Sequence, residues 1–298
     1  MDEFRLPTHN KRYEKKAVGR VSFMVLILVG VIFLFMYYLN EMNEVGMMSP
    51  VKSSNGYTPD PKAGVVYHKP NFSLSYVEKY ELPEWVSYEL TVDMMNAPKT
   101  KRYQDFNPDP AITTGSGHYH DYKSSGYRRG HLVPSGDMAW DKKSMDATFL
   151  LSNVAPMLED FNDGIWLELE NNVRDWSRKH HKIEVIAGPV FSEPLGTIGE
   201  NEILVPQYFY KAVFTIDGDK PDAIGFLFKQ DEDSYETLDK YVVSIDSIEK
   251  LTGLDLFANL YGNWDEEIRL EKQVNNESTS WPFNDRWYQQ RVEQARRN

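Results

Sequence analysis

The sequence predicts an α+β fold preceded by one transmembrane helix. Three observations lead to this prediction: short β-branched and aromatic segments recur along the chain, two segments with helical spacing interrupt them, and an uncharged apolar stretch lies near the N-terminus. The strand segments outnumber the helical ones and do not alternate strictly with them. This order favours α+β over a doubly wound parallel sheet.

Composition excludes several classes of protein. Hydrophobic residues make up 41% of the chain, charged residues 26% and aromatic residues 13%, which excludes disordered, collagenous and coiled-coil proteins. The formal net charge of −12 excludes a uniformly basic nucleic-acid binder, so a polyanionic partner must meet a local basic patch. The chain has no cysteine, and disulfides, thiolate nucleophiles and thiolate zinc sites are therefore excluded.

The N-terminal region predicts a membrane anchor. Residues 1–20 carry six bases against three acids, and residues 21–39 carry no charge. As a helix rising about 1.5 Å per residue, the apolar stretch spans about 28 Å, enough to cross a bilayer. With the basic segment held in the cytoplasm, the C-terminal domain lies outside it, in a bacterium facing the periplasm or the exterior.

A cleaved signal peptide is the competing interpretation of this apolar stretch. The residues that follow it offer no A-x-A cleavage pattern, which favours the uncleaved signal anchor. Residues 40–64 form the predicted linker, because Ser, Gly, Pro and Asn are frequent in them and no regular period is sustained. The folded domain is predicted over residues 65–265, followed by a C-terminal tail, 266–298, without an assigned role.

Strands are predicted where apolar runs rich in β-branched and aromatic residues stand between turn signals. They cover residues 85–92, 148–154, 183–187, 203–205, 208–216 and 223–228. A helix is predicted over about 163–179, where buried-type residues recur at helical spacing. A shorter helix is predicted over 244–252, with Ser244 as its N-cap and Gly253 as a left-handed C-cap.

The densest group of reactive side chains lies in residues 121–137. Arg128, Arg129 and His131 surround Gly130 in this polar run. Histidine titrates near neutral pH and accepts protons, and arginine binds phosphate in a bidentate manner. Taken alone, the pattern is more typical of a loop histidine bonded to a backbone carbonyl, with solvated arginines.

A second group follows the first along the chain. Asn153 ends a predicted strand, Asn162 opens the long helix, and Glu170 and Arg174 lie farther along one broad face of that helix. An asparagine oxygen with several water molecules is a suitable set of ligands for Mg²⁺. The simpler alternative is that Asn162 only caps the helix and that Glu170 is solvated.

Taken in order, these motifs resemble the DNA/RNA non-specific endonuclease family, which includes the Serratia nuclease and mitochondrial endonuclease G. The family pattern is DRGH, then a segment like SN-(V/I)-(A/T)-PQ, then LNQ-x-x-W-x-x-LE. The corresponding residues are Arg128-Arg129-Gly130-His131, Ser152-Asn153-Val154-Ala155-Pro156-Met157, and Phe161-Asn162-Asp163-Gly164-Ile165-Trp166 through Leu169-Glu170. The resemblance covers about residues 65–265 and implies a ββα-metal nuclease fold, with a central, mostly antiparallel sheet flanked by helices.

The resemblance also implies roles for individual residues. His131 is expected to be the general base, and Asn162 the only direct protein ligand of a hydrated Mg²⁺, or of Mn²⁺. Glu170 is expected to hold metal-bound water, Arg174 the phosphate, and Arg102 to act as the upstream catalytic arginine. Arg128, Arg129 and Asn153 are expected to bind substrate. Support of the histidine loop or of the metal-bound waters is a further expected role for Asn153.

The activity implied by the resemblance is hydrolysis of DNA and RNA with little sequence preference, leaving 5′-phosphate and 3′-hydroxyl ends. Related nucleases are often homodimers. A local basic patch suits this activity, since residues 99–143 carry eight bases against five acids. Two alternatives of other kinds are a catalytically inactive nucleic-acid-binding or scaffold module and a phosphodiesterase acting on a different polymer.

Two residues depart from the family pattern, and the role of one lysine has two alternatives. Arg128 stands where the family usually has Asp, and Met157 stands where Gln is common. A positive charge three residues from His131 predicts a lowered pKa for the histidine or a displaced loop. Lys211, between aromatic residues, is either a buried-edge lysine or a support for the active-site face.

Overall fold

The computed structural model describes residues 30–34, 36–37, 58–102, 105–217, 220–231, 235–257, 264–276 and 279–297. The chain divides into two compact units, Met1–Glu44 and Val45–Asn298. The described residues of the first unit are helical. The predicted basic segment, most of the predicted anchor and residues 40–57 of the predicted linker lie outside the described residues. Where the chain is described, no helix combines the length and the apolar character that a membrane crossing requires.

A seven-stranded antiparallel sheet forms the centre of the second unit, in the order β1-β2-β3-β6-β9-β10-β11. Strands β4 and β5 pair with each other apart from this sheet, as do β7 and β8. The strands are β1 (Val65–Lys69), β2 (Phe72–Val77), β3 (Leu82–Thr91), β4 (Arg128–His131), β5 (Val154–Met157), β6 (Lys182–Val190), β7 (Gly196–Ile198), β8 (Ile203–Val205), β9 (Tyr208–Asp217), β10 (Lys220–Lys229) and β11 (Val242–Val243).

Helices lie on both faces of this sheet, which confirms the predicted α+β class with a central antiparallel sheet. The helices are α1 (Val92–Asn96), α2 (Tyr119–Tyr122), α3 (Lys142–Thr148), α4 (Leu167–His180), α5 (Ile245–Thr252), α6 (Trp264–Glu271) and α7 (Arg286–Arg297). Short 3₁₀ turns occur at Glu78–Tyr80, Leu151–Asn153 and Leu238–Tyr241, and a π-helical turn at Phe161–Trp166 leads into α4.

Strand alternation in β9 explains how the sheet divides the core. Phe209 and Val213 belong to the cluster that includes the apolar face of α4, whereas Tyr210, Ala212 and Phe214 belong to the cluster under α5. Successive side chains of a strand point to opposite faces, so one strand supplies both cores. The sheet is therefore buried on both sides at its centre.

Four of the six predicted strands are confirmed closely, at β6, β8, β9 and β10, and the first corresponds to β3. The strand predicted over 148–154 is wrong: α3 ends at Thr148, a 3₁₀ turn follows, and β5 begins only at Val154. Asp141 caps α3 by accepting a hydrogen bond from the Ser144 amide, 2.8 Å long. A short buried apolar run does not by itself distinguish a strand from a helix. The Asp141 cap marks the start of a helix that continues to Thr148.

The long predicted helix begins earlier than its spacing indicates. Its first part is the π-helical turn 161–166, in which Gly164 has φ −107° and ψ −109°, outside the helical region. The short predicted helix is confirmed as α5: the Ser244 side chain accepts the Ser247 amide, and Gly253 has φ 73°. Wider π turns are enriched at functional sites, and this one carries Asn162.

The segment predicted as a tail packs against α4 over its described residues 279–288. Asn172 donates to the Asn284 carbonyl at 3.0 Å and accepts the Asn284 amide at 2.8 Å. The Trp176 indole donates to the Pro282 carbonyl at 2.9 Å and meets the fully buried Trp281 ring edge-on at 5.4 Å. This segment therefore covers one side of the helix that carries Glu170 and Arg174.

Asn172→Ala is expected to destabilise the fold by about 2–3 kcal/mol, because it removes three hydrogen bonds and leaves backbone groups of Asn284 unpaired. Urea unfolding of the purified protein measures this change. The matched control is Arg178→Ala, which removes an exposed side chain from the same helix and should cost about 0.5 kcal/mol or less. Equal midpoints for the two variants would contradict a fastening role for the segment.

Three carboxyl groups meet on the other side of the sheet, between α5 and α6. Oxygen atoms of Glu249, Asp255 and Glu271 lie within 4.8 Å of one another. Burial, followed by repulsion from Glu271 and Asp255, raises the pKa of Glu249 to about 7, although the Leu256 amide bonds to its carboxylate. Between about pH 4.5 and pH 7, the folded protein therefore keeps a proton on Glu249 that the unfolded chain has already released.

Glu249→Gln is expected to raise the melting temperature more at pH 8 than at pH 5. A carboxyl group whose pKa is raised by folding stabilises the protein at low pH, and this stability is lost as pH rises through the pKa of the folded state. The neutral amide of glutamine does not ionise and therefore avoids that loss. Calorimetry at the two pH values measures the difference. Glu200→Gln, on an exposed turn, is the control. An equal gain at both pH values would refute the linkage.

Candidate active-site cleft

One cleft, of about 440 Å³, gathers most of the side chains singled out from the sequence. Its walls come from the end of β4, the loop after it, the π-helical turn and the first half of α4. Five predicted residues line it: Arg102, His131, Asn162, Glu170 and Arg174. Arg128, Arg129 and Asn153 do not belong to its lining.

His131 is held at the cleft by two aromatic rings. Its ring centroid lies 5.1 Å from that of Phe106 and 4.9 Å from that of Phe149. Its Nε2 atom is buried and has no hydrogen-bond partner among the described residues. Burial, followed by the positive charges of Arg102 and Arg129, lowers the pKa of His131 to about 3. The imidazole is therefore neutral near pH 7 and free to accept a proton.

The two arginines before Gly130 lie on opposite faces of β4. Arg129 shares the face of His131, and its guanidinium carbon lies 4.8 Å from the Phe106 ring centroid. Arg128 is exposed and forms an ion pair with Glu159. The prediction that Arg128 lowers the pKa of His131 is wrong, because Arg102 and Arg129 supply that positive charge.

Asn153 supports the histidine loop from beneath. It is completely buried, accepts the Val133 amide at 3.0 Å, and donates to the carbonyls of Val133 and Thr148 at 3.0 and 2.9 Å. All of its amide groups are engaged with backbone. These contacts match the alternative in which Asn153 supports the loop, and substrate binding by Asn153 stays a prediction.

Gly130 allows the π-helical turn to approach β4 closely. A Cβ atom at this position would lie 3.0 Å from the Asn162 amide oxygen and 2.2 Å from the Met157 sulfur. Met157 pairs with Arg128 across β4 and β5 and is fully buried. Its side chain thus fills the space over Gly130, and the departure from glutamine at this position leaves an apolar contact in place of a polar one.

The amide oxygen of Asn162 lies beside Gly130, the residue that precedes His131. Its Nδ2 atom donates to the Asp163 carboxylate at 2.6 Å, which fixes the orientation of the amide group. Glu170 adds a buried carboxylate to the same cleft. Amide and carboxylate oxygens are hard ligands, so this pair of side chains fits Mg²⁺ or Mn²⁺ held mainly by water.

Arg174 is anchored by a buried acid that sequence patterns did not single out. Its Nη1 atom donates to Asp137 at 2.6 Å and lies 3.9 Å from the Glu170 carboxylate. Asp137 is completely buried and accepts a second hydrogen bond, 2.9 Å long, from the Tyr88 hydroxyl. Asp137 lies in the polar run 121–137, but no local sequence pattern pairs it with Tyr88, 49 residues earlier, or with Arg174, 37 residues later.

Glu170 is poised between two protonation states. Burial raises the pKa of its carboxyl group to about 7, and the positive charges of Lys211 and Arg174 act in the opposite direction. Small changes in the surrounding charge therefore decide whether this carboxylate is ionised near neutral pH.

Comparison with known proteins gives consistent matches. Residues 54–263 match the sequence profile of the DNA/RNA non-specific endonucleases. The chain is 30% identical over 206 residues to the mitochondrial nuclease EXOG of Homo sapiens, covering 64% of this chain and 56% of that protein. It is 31% identical over 193 residues to mitochondrial endonuclease G of Homo sapiens, covering 59% of this chain and 64% of that protein. The match thus spans less than two thirds of each of these two relatives.

A similar fold is present in a solved structure. A chain of the crystal structure of the EndoG/EndoGI complex aligns with this protein at a TM-score of 0.64 and 27% sequence identity. The alignment covers 72% of this chain and 95% of that one.

Asp137→Asn is expected to destabilise the protein by about 2 kcal/mol or more, because the mostly buried Arg174 loses the carboxylate to which it is hydrogen-bonded. Chemical unfolding followed by circular dichroism measures the change. Asp175→Asn, on the exposed side of α4, is the matched control and should be nearly neutral. A stability loss no greater than that of the control would show that Asp137 does not anchor Arg174.

Proposed function

Because the chain belongs to the DNA/RNA non-specific endonuclease family, we propose that it is a metal-dependent endonuclease that cleaves DNA and RNA with little sequence preference. One observation carries the proposal: His131, Asn162, Glu170 and Arg174 line a single cleft, although they come from a strand, a π-helical turn and a helix. The proposed products have 5′-phosphate and 3′-hydroxyl ends.

In this proposal His131 is the general base. Its neutral ring takes a proton from a water molecule, which attacks phosphorus in line with the leaving 3′ oxygen. Its contacts with Phe106 and Phe149 hold the ring in one orientation. A base with a low pKa is a weak proton acceptor, so the same environment that keeps the ring neutral also limits the rate.

Charged side chains around His131 bind and orient the phosphate. Arg174, fixed by Asp137, and Arg102, whose guanidinium carbon lies 5.6 Å from the Phe149 ring centroid, both line the cleft. Contacts to phosphate and sugar carry no base code, which accounts for low sequence preference. They also make binding weaken as salt concentration rises.

Asn162 would bind Mg²⁺ or Mn²⁺ directly, and Glu170 would hold the ion through its hydration shell. When bound, such an ion neutralises the negative charge that develops on the leaving oxygen. The two side chains supply hard oxygen ligands on adjoining walls of the cleft, which supports this assignment.

We further propose that residues 21–39 anchor the protein in a membrane as a single-pass helix. The basic N-terminal segment then stays in the cytoplasm, and the nuclease domain lies outside it, facing the periplasm or exterior of a bacterium. A homodimer is the proposed assembly. The sequence of the anchor and its basic flank supports the topology.

The second candidate is a nucleic-acid-binding or scaffold module without catalytic activity. The low pKa of His131 favours it, since a very weak base contributes little to proton transfer. The exchange of Asp for Arg128 does not favour this second candidate, because Arg128 pairs with Glu159 and leaves the cleft residues in place.

Purified protein is expected to degrade supercoiled plasmid and RNA in MgCl₂ and to leave both intact in EDTA. His131→Ala and Asn162→Ala should each lower the rate by about 10²–10⁴-fold, because they remove the base and the metal ligand. Gel assays of initial rates measure this loss. His120→Ala, an exposed histidine outside the cleft, is the matched control and should keep the wild-type rate. Binding without cleavage across several metals and pH values would establish the second candidate instead.

A further inference from the structure

The C-terminal segment 279–288 (the strap) runs antiparallel to α4 and bonds to each turn of that helix. Four helix side chains, spaced four residues apart, bond to main-chain groups of the strap: His180 to Ser280, Trp176 to Pro282, Asn172 to Asn284 and Glu168 to Tyr288. These bonds are 2.8–3.1 Å long. The strap lies beyond residues 54–263, which match the family profile, so the family motifs do not predict it.

The strap and the cleft lie on opposite sides of α4. The helix turns about 100° per residue, so Glu170 and Arg174 lie about 200° around it from Glu168 and Asn172. The sheet covers the helix between these two sides, where Leu169 is completely buried. A shift of α4 toward the strap would therefore withdraw both cleft side chains.

Other groups fix the start of α4 from the sheet. Lys211 is completely buried on the inner strand β9, and its Nζ atom lies 4.2 Å from the centroid of the Trp166 ring. Trp166 donates from its indole nitrogen to the His131 carbonyl at 3.2 Å. These contacts match the alternative in which Lys211 supports the active-site face. They lie one turn before Glu170, so the rest of α4 needs further contacts to hold its position.

Trp281 is the anchor of the strap. Its ring is completely buried, and its centroid lies 5.4 Å from that of Trp176 and 4.7 Å from that of His180. Its indole nitrogen has no hydrogen-bond partner among the described residues, so the ring acts through packing. Phe283 continues this packing to the sheet, with its ring centroid 6.3 Å from that of Phe226 in β10. The strap is thus wedged between α4 and β10.

We propose that the strap is a positioning element of the cleft: Trp281 and its neighbours hold α4 where Glu170 and Arg174 can act. Loosening the strap then lowers turnover before the protein unfolds. The effect on turnover rests on the proposed function. The hold on α4 does not, and it is measured without substrate or metal.

The first test is amide hydrogen exchange of the full chain, in EDTA and without nucleic acid, followed by mass spectrometry. In Trp281→Ala the amides of α4 should exchange at least about tenfold faster than in wild type, while those of α5 keep their rate, because only α4 opens more readily. Trp281→Phe should keep wild-type exchange in both helices, since it retains a packed ring.

Phe257→Ala is the matched control. It removes a buried ring that contacts Phe214 on the other face of the sheet, in the cluster under α5. This variant should accelerate exchange in α5 and leave α4 unchanged. Equal acceleration of α4 and α5 in Trp281→Ala would show a global loss of stability and overturn the proposal.

Asn172→Ala covers the case in which Trp281→Ala does not fold, because it loosens the strap without emptying a ring-sized space. Its α4 amides should also exchange faster than those of wild type, whereas the exposed Arg178→Ala should leave them unchanged. Unchanged exchange of α4 in the folded strap variants would overturn the proposal.

The second test is turnover of plasmid in MgCl₂, at a temperature at which every variant is folded. In Trp281→Ala kcat should fall by about 10–100-fold, because small displacements of positioned groups cost that much in rate. Trp281→Phe and Phe257→Ala should stay near the wild-type kcat. A wild-type kcat in Trp281→Ala, despite faster exchange of α4, would overturn the positioning role.

The two measurements separate this proposal from the proposed function. If wild type cuts nothing in any metal while α4 exchanges faster in Trp281→Ala, the nuclease proposal is refuted and the hold of the strap on α4 stands. If wild type cuts plasmid and α4 exchange is unchanged in Trp281→Ala, the strap proposal alone is refuted.

Discussion

The close approach of β4 to the π-helical turn at Gly130 determines where the proposed chemistry takes place. A side chain at this position would collide with the Met157 sulfur and press on the Asn162 amide oxygen. With glycine there, a strand that ends in His131 and a helical turn that carries Asn162 share one cleft. The base and the metal ligand of the proposed reaction are thus brought together by one backbone contact.

A layer of buried charge beneath the cleft sets the ionisation of its side chains. Asp137 holds Arg174, Arg174 lies beside Glu170, and Lys211 lies against Trp166 on the sheet side. Burial alone would favour neutral Glu170 and neutral Lys211, and their opposite charges counteract that tendency. Because the interior screens charge less than water, these interactions are stronger than their surface equivalents. The cleft therefore depends on Asp137 and Lys211, which do not line it.

Much of the fold was predictable because its signals are local. Alternation and apolar runs identified β6, β8, β9 and β10, and the cap residues identified α5. The strand predicted over 148–154 failed because burial of an apolar run does not distinguish a helix end from a strand. The early start of the long helix was hidden by Gly164, whose non-helical angles occur inside a π turn.

The site was predictable only as far as its motifs reach. Order and spacing singled out His131, Asn162, Glu170 and Arg174, which the structure gathers in one cleft, although their roles stay predictions. The roles of Asp137 and Tyr88 were not predicted, because only tertiary packing brings these two residues together from distant parts of the sequence. The effect of Arg128 was misjudged because sequence distance ignores strand alternation, which places Arg129 on the face of His131.

The most direct test of the account is a crystal structure of the protein soaked in Mn²⁺, with the ion located by anomalous scattering. The account predicts a peak at the Asn162 amide oxygen, within the cleft that His131 lines. A peak only at the acidic cluster of Glu249, Asp255 and Glu271, or no ordered ion near Asn162, would contradict it.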